Sequence, residues 1–256
     1  MQKKNWKVKR LVNEALSKLR GNHQVLKVIT KIVFHLRFLV RLGKKPPADN
    51  IGGIMVNDTY KLLCVGNPKV GSSSLKAFFQ KELPSSVFYL NISYASFLRS
   101  NPEKHNYLKT AFVRNSWERI YSCWQDKISN NQRFSDMFII TRFKGLYPDM
   151  PFDEFVDWLC SEAGSDQYAD RHWMSQHKLL DIDANRNNLD LVDDISNMNR
   201  QIEKIIVERN MSEAKLTQRN KSGGTKQTYN FTPAVIEKIA LRYAEDIKLF
   251  EFSRPD

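Results

Sequence analysis

The sequence is poor in cysteine. Three thiols in 256 residues are too few for a disulfide framework, and an odd, sparse set indicates reduced thiols and a reducing compartment. No uninterrupted apolar run of about 18 residues occurs, which argues against an ordinary transmembrane helix. No short apolar core precedes a small-residue cleavage site, so we expect no cleaved secretory signal. Global disorder is excluded because 41% of the residues are hydrophobic, and the length fits one domain with an appendage, or two small domains at most.

Acidic residues are scarce at one end of the chain. Residues 1–50 hold 13 Lys/Arg and 2 Asp/Glu, a net charge of +11, whereas residues 51–256 hold 27 and 26, a net charge of +1. A nucleic-acid-binding fold normally spreads basic residues over its folded face, so we predict no nucleic-acid partner. The sequence therefore divides into a basic N-terminal arm with its linker, residues 1–50, and a folded domain, residues 51–256.

The arm contains a predicted amphipathic helix over residues 25–42. At about 100° per residue its basic side chains and Thr30 fall on one arc of roughly 160° and leave a wide apolar face. The basic residues are Lys27, Lys31, His35, Arg37 and Arg41. Two interpretations stay open: the helix lies on an anionic membrane surface, or it packs on the body with a solvated basic face. Residues 43–47 end the helix, and we predict a linker from there to Gly53.

From Tyr60 onward, short apolar runs alternate with helical patterns. The predicted strands cover residues 60–65, 87–90, 110–113 and 189–192. The predicted helices cover residues 72–83, 116–128, 152–159 and 198–209, with a last helix that opens at Thr232 and Pro233. This alternation predicts an α/β domain with a mostly parallel central sheet flanked by helices. Ligands of such sheets bind at the carboxyl ends of the strands.

The loop after the first predicted strand, Gly66 to Gly71, resembles a phosphate-binding loop. Its glycines allow a tight turn, Lys69 adds a positive charge, and the serines that follow open a helix whose N-terminus favours an anion. The two glycines have the Walker spacing, but Ser72 stands where a Walker loop needs its lysine. No apolar strand ending in a magnesium-binding aspartate is evident. The loop therefore indicates an anion other than a magnesium triphosphate.

A second segment adds to this signal. Arg114 stands at the tip of the strand 110–113, and Ser122 lies two turns into the following helix. A rigid guanidinium fork and a hydroxyl in these places can grip one phosphate from two sides. The alternative is that Arg114 bridges to a carboxylate.

Together these segments resemble the PAPS-dependent carbohydrate sulfotransferases of sulfotransferase family 2, the branch that includes the HNK-1 and chondroitin 4-O-sulfotransferases. The family hallmarks are a Pro-Lys-x-Gly-Ser-x-Ser loop and a later Phe-Val-Arg-(Asp/Glu/Asn)-Pro-x-Glu-Arg-x-x-Ser segment. The chain matches them at residues 68–74 and 112–122, with Ser116 in place of the common proline. Residues 170–176 and 220–222 also look familial, and the resemblance spans roughly residues 60–252.

The resemblance implies a P-loop-NTPase-like α/β domain that binds 3′-phosphoadenosine-5′-phosphosulfate (PAPS), with no metal, and transfers its sulfuryl group directly to a carbohydrate hydroxyl. The loop from Lys69 to Ser74 would hold the 5′-phosphosulfate. Arg114 and Ser122 would hold the 3′-phosphate with help from a late loop. The implied donor-binding residues are Pro68, Lys69, Gly71, Ser72, Ser73, Ser74, Arg114, Ser122, Lys221 and Ser222.

Two residues are candidates for catalysis. Lys69 would stabilise negative charge on the departing phosphate oxygen, whereas Lys76 is a supporting or surface lysine. His172 would act as the general base on the acceptor hydroxyl, because an imidazole titrates near neutral pH. Its alternatives are substrate binding or packing against Trp173. Asp170 and Glu118 are reserve bases, with Glu118 expected to pair with Arg119 or a neighbouring turn. No zinc-ligand set is apparent around the histidines.

Two other functions stay open: a magnesium-dependent P-loop kinase or NTPase, and a membrane or nucleic-acid adaptor with a vestigial pocket. The lysines in the arm favour a cytoplasmic protein peripheral to a membrane over a Golgi protein facing the lumen. The acceptor sugar and the oligomeric state are not encoded in any motif that we identify.

Overall fold

The computed structural model describes residues 22–40, 53–129, 143–185, 187–211, 214–215 and 231–255. The strands are β1 (Gly53–Asn57), β2 (Leu62–Gly66), β3 (Val87–Leu90), β4 (Leu108–Val113) and β5 (Leu191–Asp194). The helices are α1 (His23–Val40), α2 (Ser72–Lys81), α3 (Tyr94–Ser100), α4 (Ser116–Trp124), α5 (Phe152–Leu159), α6 (Gln176–Leu180), α7 (Met198–Glu208), α8 (Pro233–Arg242) and α9 (Ala244–Leu249). A π-helical turn, Gln125–Ser129, continues α4.

The strands form one sheet in the order β3-β1-β2-β4-β5. Strands β2, β4 and β5 are parallel, and β1 runs antiparallel to both β2 and β3. The register pairs Val65 with Ala111 and Val113 with Asp194, so the carboxyl ends of the three parallel strands meet at one edge. The predicted mostly parallel α/β architecture is confirmed.

Strand β1 is the main element that the sequence did not predict. It follows the expected linker directly and holds only three consecutive apolar residues, Ile54 to Val56, which alone do not distinguish a strand from a loop. In the fold it pairs on both sides, and these three side chains are nearly fully buried. Helices α3 and α6, of seven and five residues, were also not predicted, since so few residues carry little periodicity.

Helices cover both faces of the sheet and bury separate cores. On one face α2 and α7 pack over β2 and β4, with Phe78, Phe79 and Ile202 at most 2% exposed. On the other face, α3 and the segment before β5 cover Leu63, Val65 and Val113, among others. A third core joins α4, α5 and α8 around Trp117 and Phe155. Because both faces are covered, the edge at the carboxyl ends is the accessible part of the parallel strands.

The arm helix α1 packs on the body through its first turns. Leu26 is fully buried in the core of α4, α5 and α8, and Thr30 is buried with its hydroxyl donating to the Leu26 carbonyl at 2.7 Å. Lys27 lies 3.5 Å from the Glu154 carboxylate. Val28, by contrast, is 57% exposed. Among the described helices, none combines the length and the apolar character needed to cross a membrane.

Candidate active site

The loop after β2 is shaped by glycine and by its close contact with β1 and α7. A Cβ at Gly66 would lie 2.7 Å from the Gly53 carbonyl oxygen, so only glycine allows β1 this close. Lys69 and Gly71 adopt the left-handed conformation, with φ of 71° and 72°. A Cβ at Gly71 would also lie 2.8 Å from Met198 Cε. The loop therefore turns sharply into α2 under steric constraints that come from β1 and α7.

The first turn of α2 faces the carboxyl edge of the sheet. The N–H groups of Ser74 and Leu75 donate to the Gly71 carbonyl at 2.9 and 3.1 Å, and Gly71 has no side chain to cap the helix. The preceding N–H groups, those of Ser72 and Ser73, have no intrahelical acceptor in this geometry. Ser73 is exposed and Ser72 half-buried, whereas Ser74 is buried. This turn offers backbone donors, hydroxyls and the positive end of the helix dipole to an anion.

Lys69 extends from the loop to the end of α4. Its ammonium lies 3.1 Å from Asp126 Oδ2, and Lys127 lies 3.4 Å from the same oxygen. Burial opposes ionisation of Asp126, but the two lysines together hold the pKa of its carboxyl below the usual range. The Lys69 side chain is only 15% exposed, so the ion pair fixes the ammonium beside the loop.

Arg114 lies one residue beyond β4 and contacts the same loop. Its Nη1 donates to the Lys69 carbonyl at 3.4 Å, and its Nε donates to Glu118 at 3.1 Å. Glu118 thus forms its ion pair with Arg114, four residues earlier in the neighbouring turn, and not with Arg119. Ser122 follows Glu118 by four residues and therefore lies on the same face of α4, partly exposed. The guanidinium is bridged to a carboxylate and at the same time directed at the loop.

Asn115 defines the start of α4 even though Ser116 replaces the proline common in the family. The Asn115 side chain accepts a hydrogen bond from the Trp117 N–H at 3.1 Å, as an N-cap does. Ser116 is the first helical residue and is buried. Serine in place of proline at position 116 therefore does not prevent capping of α4, and the helix starts directly after the tip of β4.

Arg119, which was not among the predicted site residues, joins three parts of the site. It is 1% exposed and donates to the carbonyls of Pro68 at 3.2 Å, Met174 at 2.9 Å and Arg171 at 3.1 Å. Burial lowers the pKa of its guanidinium. One buried cation therefore holds the loop after β2 against the segment that carries His172.

His172 is oriented by a buried carboxylate. Its Nδ1 lies 2.5 Å from Asp170 Oδ1, and the Asp170 side chain is 3% exposed. Burial lowers the pKa of His172 below its usual value, although Asp170 opposes this shift. A neutral imidazole with its Nδ1 proton on Asp170 leaves Nε2 as the nitrogen that can accept a proton. Asp170 therefore fits the role of an orienting group better than that of a reserve base.

A pocket of about 130 Å³ brings His172 next to the loop. Pro68, Ser72 and Lys76 line it from the loop and α2, and Arg171 and His172 line it from the segment before α6. Residues of β1 and β3 complete the wall. Trp173 does not line it: this side chain is 1% exposed and packs against Phe143, Phe155 and Trp158, so it is a core residue and cannot stack on a sugar. Lys76 is exposed and faces the pocket, as a supporting lysine would.

The structure thus places the loop residues from Pro68 to Ser74, Arg114 and His172 around one edge of the sheet, and it places Ser122 two turns into α4, on the face that carries Glu118. Lys221 and Ser222 lie outside the described residues. Strand β5 ends in two aspartates, Asp193 and Asp194, and neighbouring groups engage both of them. Asp193 is engaged by the side-chain amides of Asn197 and Gln201, and Asp194 caps the following turn through Ser196 N. The described residues contain no cluster of metal-ligating side chains.

A mostly parallel α/β sheet flanked by helices, with a glycine-containing loop between β2 and α2 at its carboxyl edge, defines the fold class of this protein. Residues 52–253 match the model of the sulfotransferase family. The chain belongs to this family, and the match supports membership of sulfotransferase family 2 and transferase activity. The comparison with curated proteins gave no significant match, and neither did the comparison with solved structures.

Proposed function

We propose that this sulfotransferase uses PAPS as its donor and a carbohydrate hydroxyl as its acceptor. The observation that carries the proposal is the meeting of two anion-binding segments, with Arg114 Nη1 3.4 Å from the Lys69 carbonyl oxygen. A single nucleotide with phosphate groups at both ends of its ribose would reach both segments. The HNK-1-like branch within the family stays a prediction from the motifs alone.

The residues of the edge fit such a donor. The N-terminal turn of α2 supplies N–H and hydroxyl donors for the 5′ end, through Gly71, Ser72, Ser73 and Ser74. Arg114 and Ser122, on the neighbouring strand tip and helix, suit the 3′-phosphate. The motif adds Pro68 to this set, and Lys221 and Ser222 from the late loop. When bound, PAPS supplies an activated sulfuryl group.

Lys69 would stabilise the charge that grows on the phosphate oxygen of the leaving nucleotide. Its ammonium is already desolvated and held beside the loop by Asp126, so little reorganisation is needed for it to act. The carboxylate that holds it also competes for its protons. Lys69 must therefore share its N–H donors between Asp126 and the donor, which an ammonium with three protons can do.

His172 would remove the proton from the acceptor hydroxyl. Because burial lowers its pKa, the imidazole is neutral at pH 7 and can accept a proton at Nε2. Asp170 fixes the tautomer and would stabilise the imidazolium that forms. The pocket shared by His172 and Ser72 is where an acceptor would approach the 5′ end of the donor.

The arm would also touch an anionic membrane and place a cytoplasmic, peripheral enzyme near its glycan acceptor; a Golgi protein facing the lumen is the alternative location. Exposed Val28 and Ile32 on α1 support this proposal, as does the basic segment before it. Removing residues 1–21 deletes seven Lys/Arg and one Glu but leaves the packed turns of α1. In a low-salt buffer, vesicles of anionic lipid should retain far less of this truncated protein than of the full chain. Equal retention of the two proteins would contradict the membrane role.

Binding and product formation test the catalytic proposal. Calorimetry with adenosine 3′,5′-bisphosphate should show tight binding to the wild type and a loss of about tenfold or more for Arg114→Ala. A panel of glycans incubated with PAPS, analysed by mass spectrometry, should show an added sulfate on at least one carbohydrate. No binding of either nucleotide, or hydrolysis of magnesium ATP in its place, would refute the proposal and favour the kinase or NTPase alternative.

A further inference from the structure

The amide of Gln176 is completely buried and clamps the main chain of Arg114. Its Nε2 donates to the Arg114 carbonyl at 2.8 Å, and its Oε1 accepts from the Arg114 N–H at 3.0 Å. The last residue of β4 in the sheet register is Val113, paired with Asp194. Arg114 is thus beyond the ladder, and one side-chain amide replaces the two hydrogen bonds that a neighbouring strand would give.

The same amide is connected to the loop after β2. Asn67, 1% exposed, donates through Nδ2 to Gln176 Oε1 at 2.9 Å and to the Phe112 carbonyl at 3.1 Å. Asn67 is the residue that follows β2 and opens the turn to Lys69. The loop and the tip of β4 are therefore both hydrogen-bonded to the side chain of Gln176.

A buried carboxylate holds Gln176 in place from behind. Asp246, on α9, is 0% exposed and accepts the N–H groups of Gln176 at 2.7 Å and His177 at 2.9 Å. The His177 Nδ1 lies 2.6 Å from the same carboxylate. The start of α6 is therefore anchored to the C-terminal helix, and this fixes the main-chain position from which the Gln176 side chain extends.

We infer that Gln176 is a positioning residue that fixes the main chain of Arg114, and through it the direction of the guanidinium, relative to the loop at Lys69. The inference rests on the proposed function, in which Arg114 binds the 3′-phosphate of the donor. Without this amide, Asn67 keeps its hydrogen bond to the Phe112 carbonyl, so the loop after β2 retains an anchor. The loss of affinity should therefore fall mainly on nucleotides that carry a 3′-phosphate. General loosening of the fold would reduce affinity for all of them.

The test compares two nucleotides, adenosine 3′,5′-bisphosphate and adenosine 5′-phosphate. Gln176→Leu removes both hydrogen bonds to Arg114 at similar volume. It should lower the affinity for the bisphosphate by about tenfold or more and the affinity for the monophosphate by less than about twofold. In an Arg114→Ala background the same substitution should add little, because the group it positions is gone.

Two further variants keep the test independent of folding. Gln176→Met keeps the length of the side chain but removes both polar atoms of the amide, so it should show the same selective loss. Asn57→Ala is the matched control: Asn57 is a buried amide at the opposite end of the sheet, where it donates to the Pro84 carbonyl and accepts from Tyr60 N. It should lower thermal stability and leave the ratio of the two affinities unchanged.

The outcomes separate the two proposals. A wild type without preference for the 3′-phosphate overturns the proposed function, and this inference with it. A wild type with that preference, and Gln176 variants that weaken both nucleotides equally, overturns the positioning role alone. Additive losses in the double variant with Arg114→Ala overturn it as well.

Discussion

Replacing Arg119 with methionine tests how much of the site's order depends on one buried cation. The guanidinium donates to the carbonyls of Pro68, Arg171 and Met174, and methionine keeps an unbranched apolar stem without any N–H. All three oxygens would lose their donor at once. The loop after β2 would then lose its direct tie to the segment that carries His172.

The magnitude follows from the burial of each acceptor. The hydrogen bond to Met174 is buried, so its unpaired carbonyl costs about 1–3 kcal/mol. The bonds to Pro68 and Arg171 are partly buried, and water can replace the donor there, so each loss costs about 1 kcal/mol or less. Burial also lowers the pKa of Arg119, which means that removing the charge relieves some desolvation. The net loss should be about 2–4 kcal/mol, large against the roughly 5–15 kcal/mol of a typical domain.

Urea unfolding followed by tryptophan fluorescence measures this loss. Arg99→Met is the control, because Arg99 is exposed and its guanidinium donates to the Ser96 hydroxyl of the same helix. It should change the free energy of unfolding by less than about 0.5 kcal/mol. Arg119→Lys should lose an amount of unfolding free energy between those of Arg99→Met and Arg119→Met, since one ammonium cannot reach all three carbonyls. A loss below about 1 kcal/mol for Arg119→Met at unchanged m-value would refute the reasoning.

Three further outcomes are expected. Lys69→Ala should lower kcat by about 10²-fold or more while the fold survives, checked by sulfate transfer and circular dichroism; near-normal turnover would contradict it. In the pH profile of kcat, activity should fall only below about pH 6.5, because burial lowers the pKa of His172. Asp170→Asn should move this acidic fall to lower pH, because Asp170 raises that pKa, and should reduce the maximal rate by about 10²-fold or more. An acidic fall at unchanged pH in this variant would contradict the prediction. Gly71→Ala should destabilise by about 1–2 kcal/mol in thermal unfolding, from positive φ and the clash with Met198, whereas a neutral effect would show that the loop relaxes.

Local patterns predicted most elements of the fold. The strand Val87–Leu90 and the starts of α2 and α4 agree with the sequence prediction, because the apolar runs there are bounded by turn residues or caps. Strand β1 escaped prediction, because its stability comes from pairing with β2 and β3 and not from its own three apolar residues. The ends of the arm helix differ by two residues from the prediction, which is the usual spread of helix boundaries.

The motifs also identified the candidate ligand residues but not the groups that hold them. Lys69, Arg114 and His172 are recognisable because their chemistry suits phosphate and proton transfer at the ends of strands. Arg119 and Gln176 fall inside the familial segments at residues 112–122 and 170–176, but those segments do not show what the two side chains contact. Their partners are main-chain atoms more than 50 residues away in the chain, and a carbonyl group carries no trace in the amino-acid sequence.

The amino-acid sequence alone determined the α/β class and the placing of basic charge in the arm, and it predicted the anion-binding role of the loop after β2, since these depend on local pattern and residue chemistry. Tertiary structure decided three other things: that α1 buries Leu26 against the body, that Asp170 orients His172, and that the amide of Gln176 joins Asn67 to Arg114. Each of these depends on which distant atoms come within hydrogen-bond or packing distance. Chain folding sets such distances, and no spacing along the sequence encodes them.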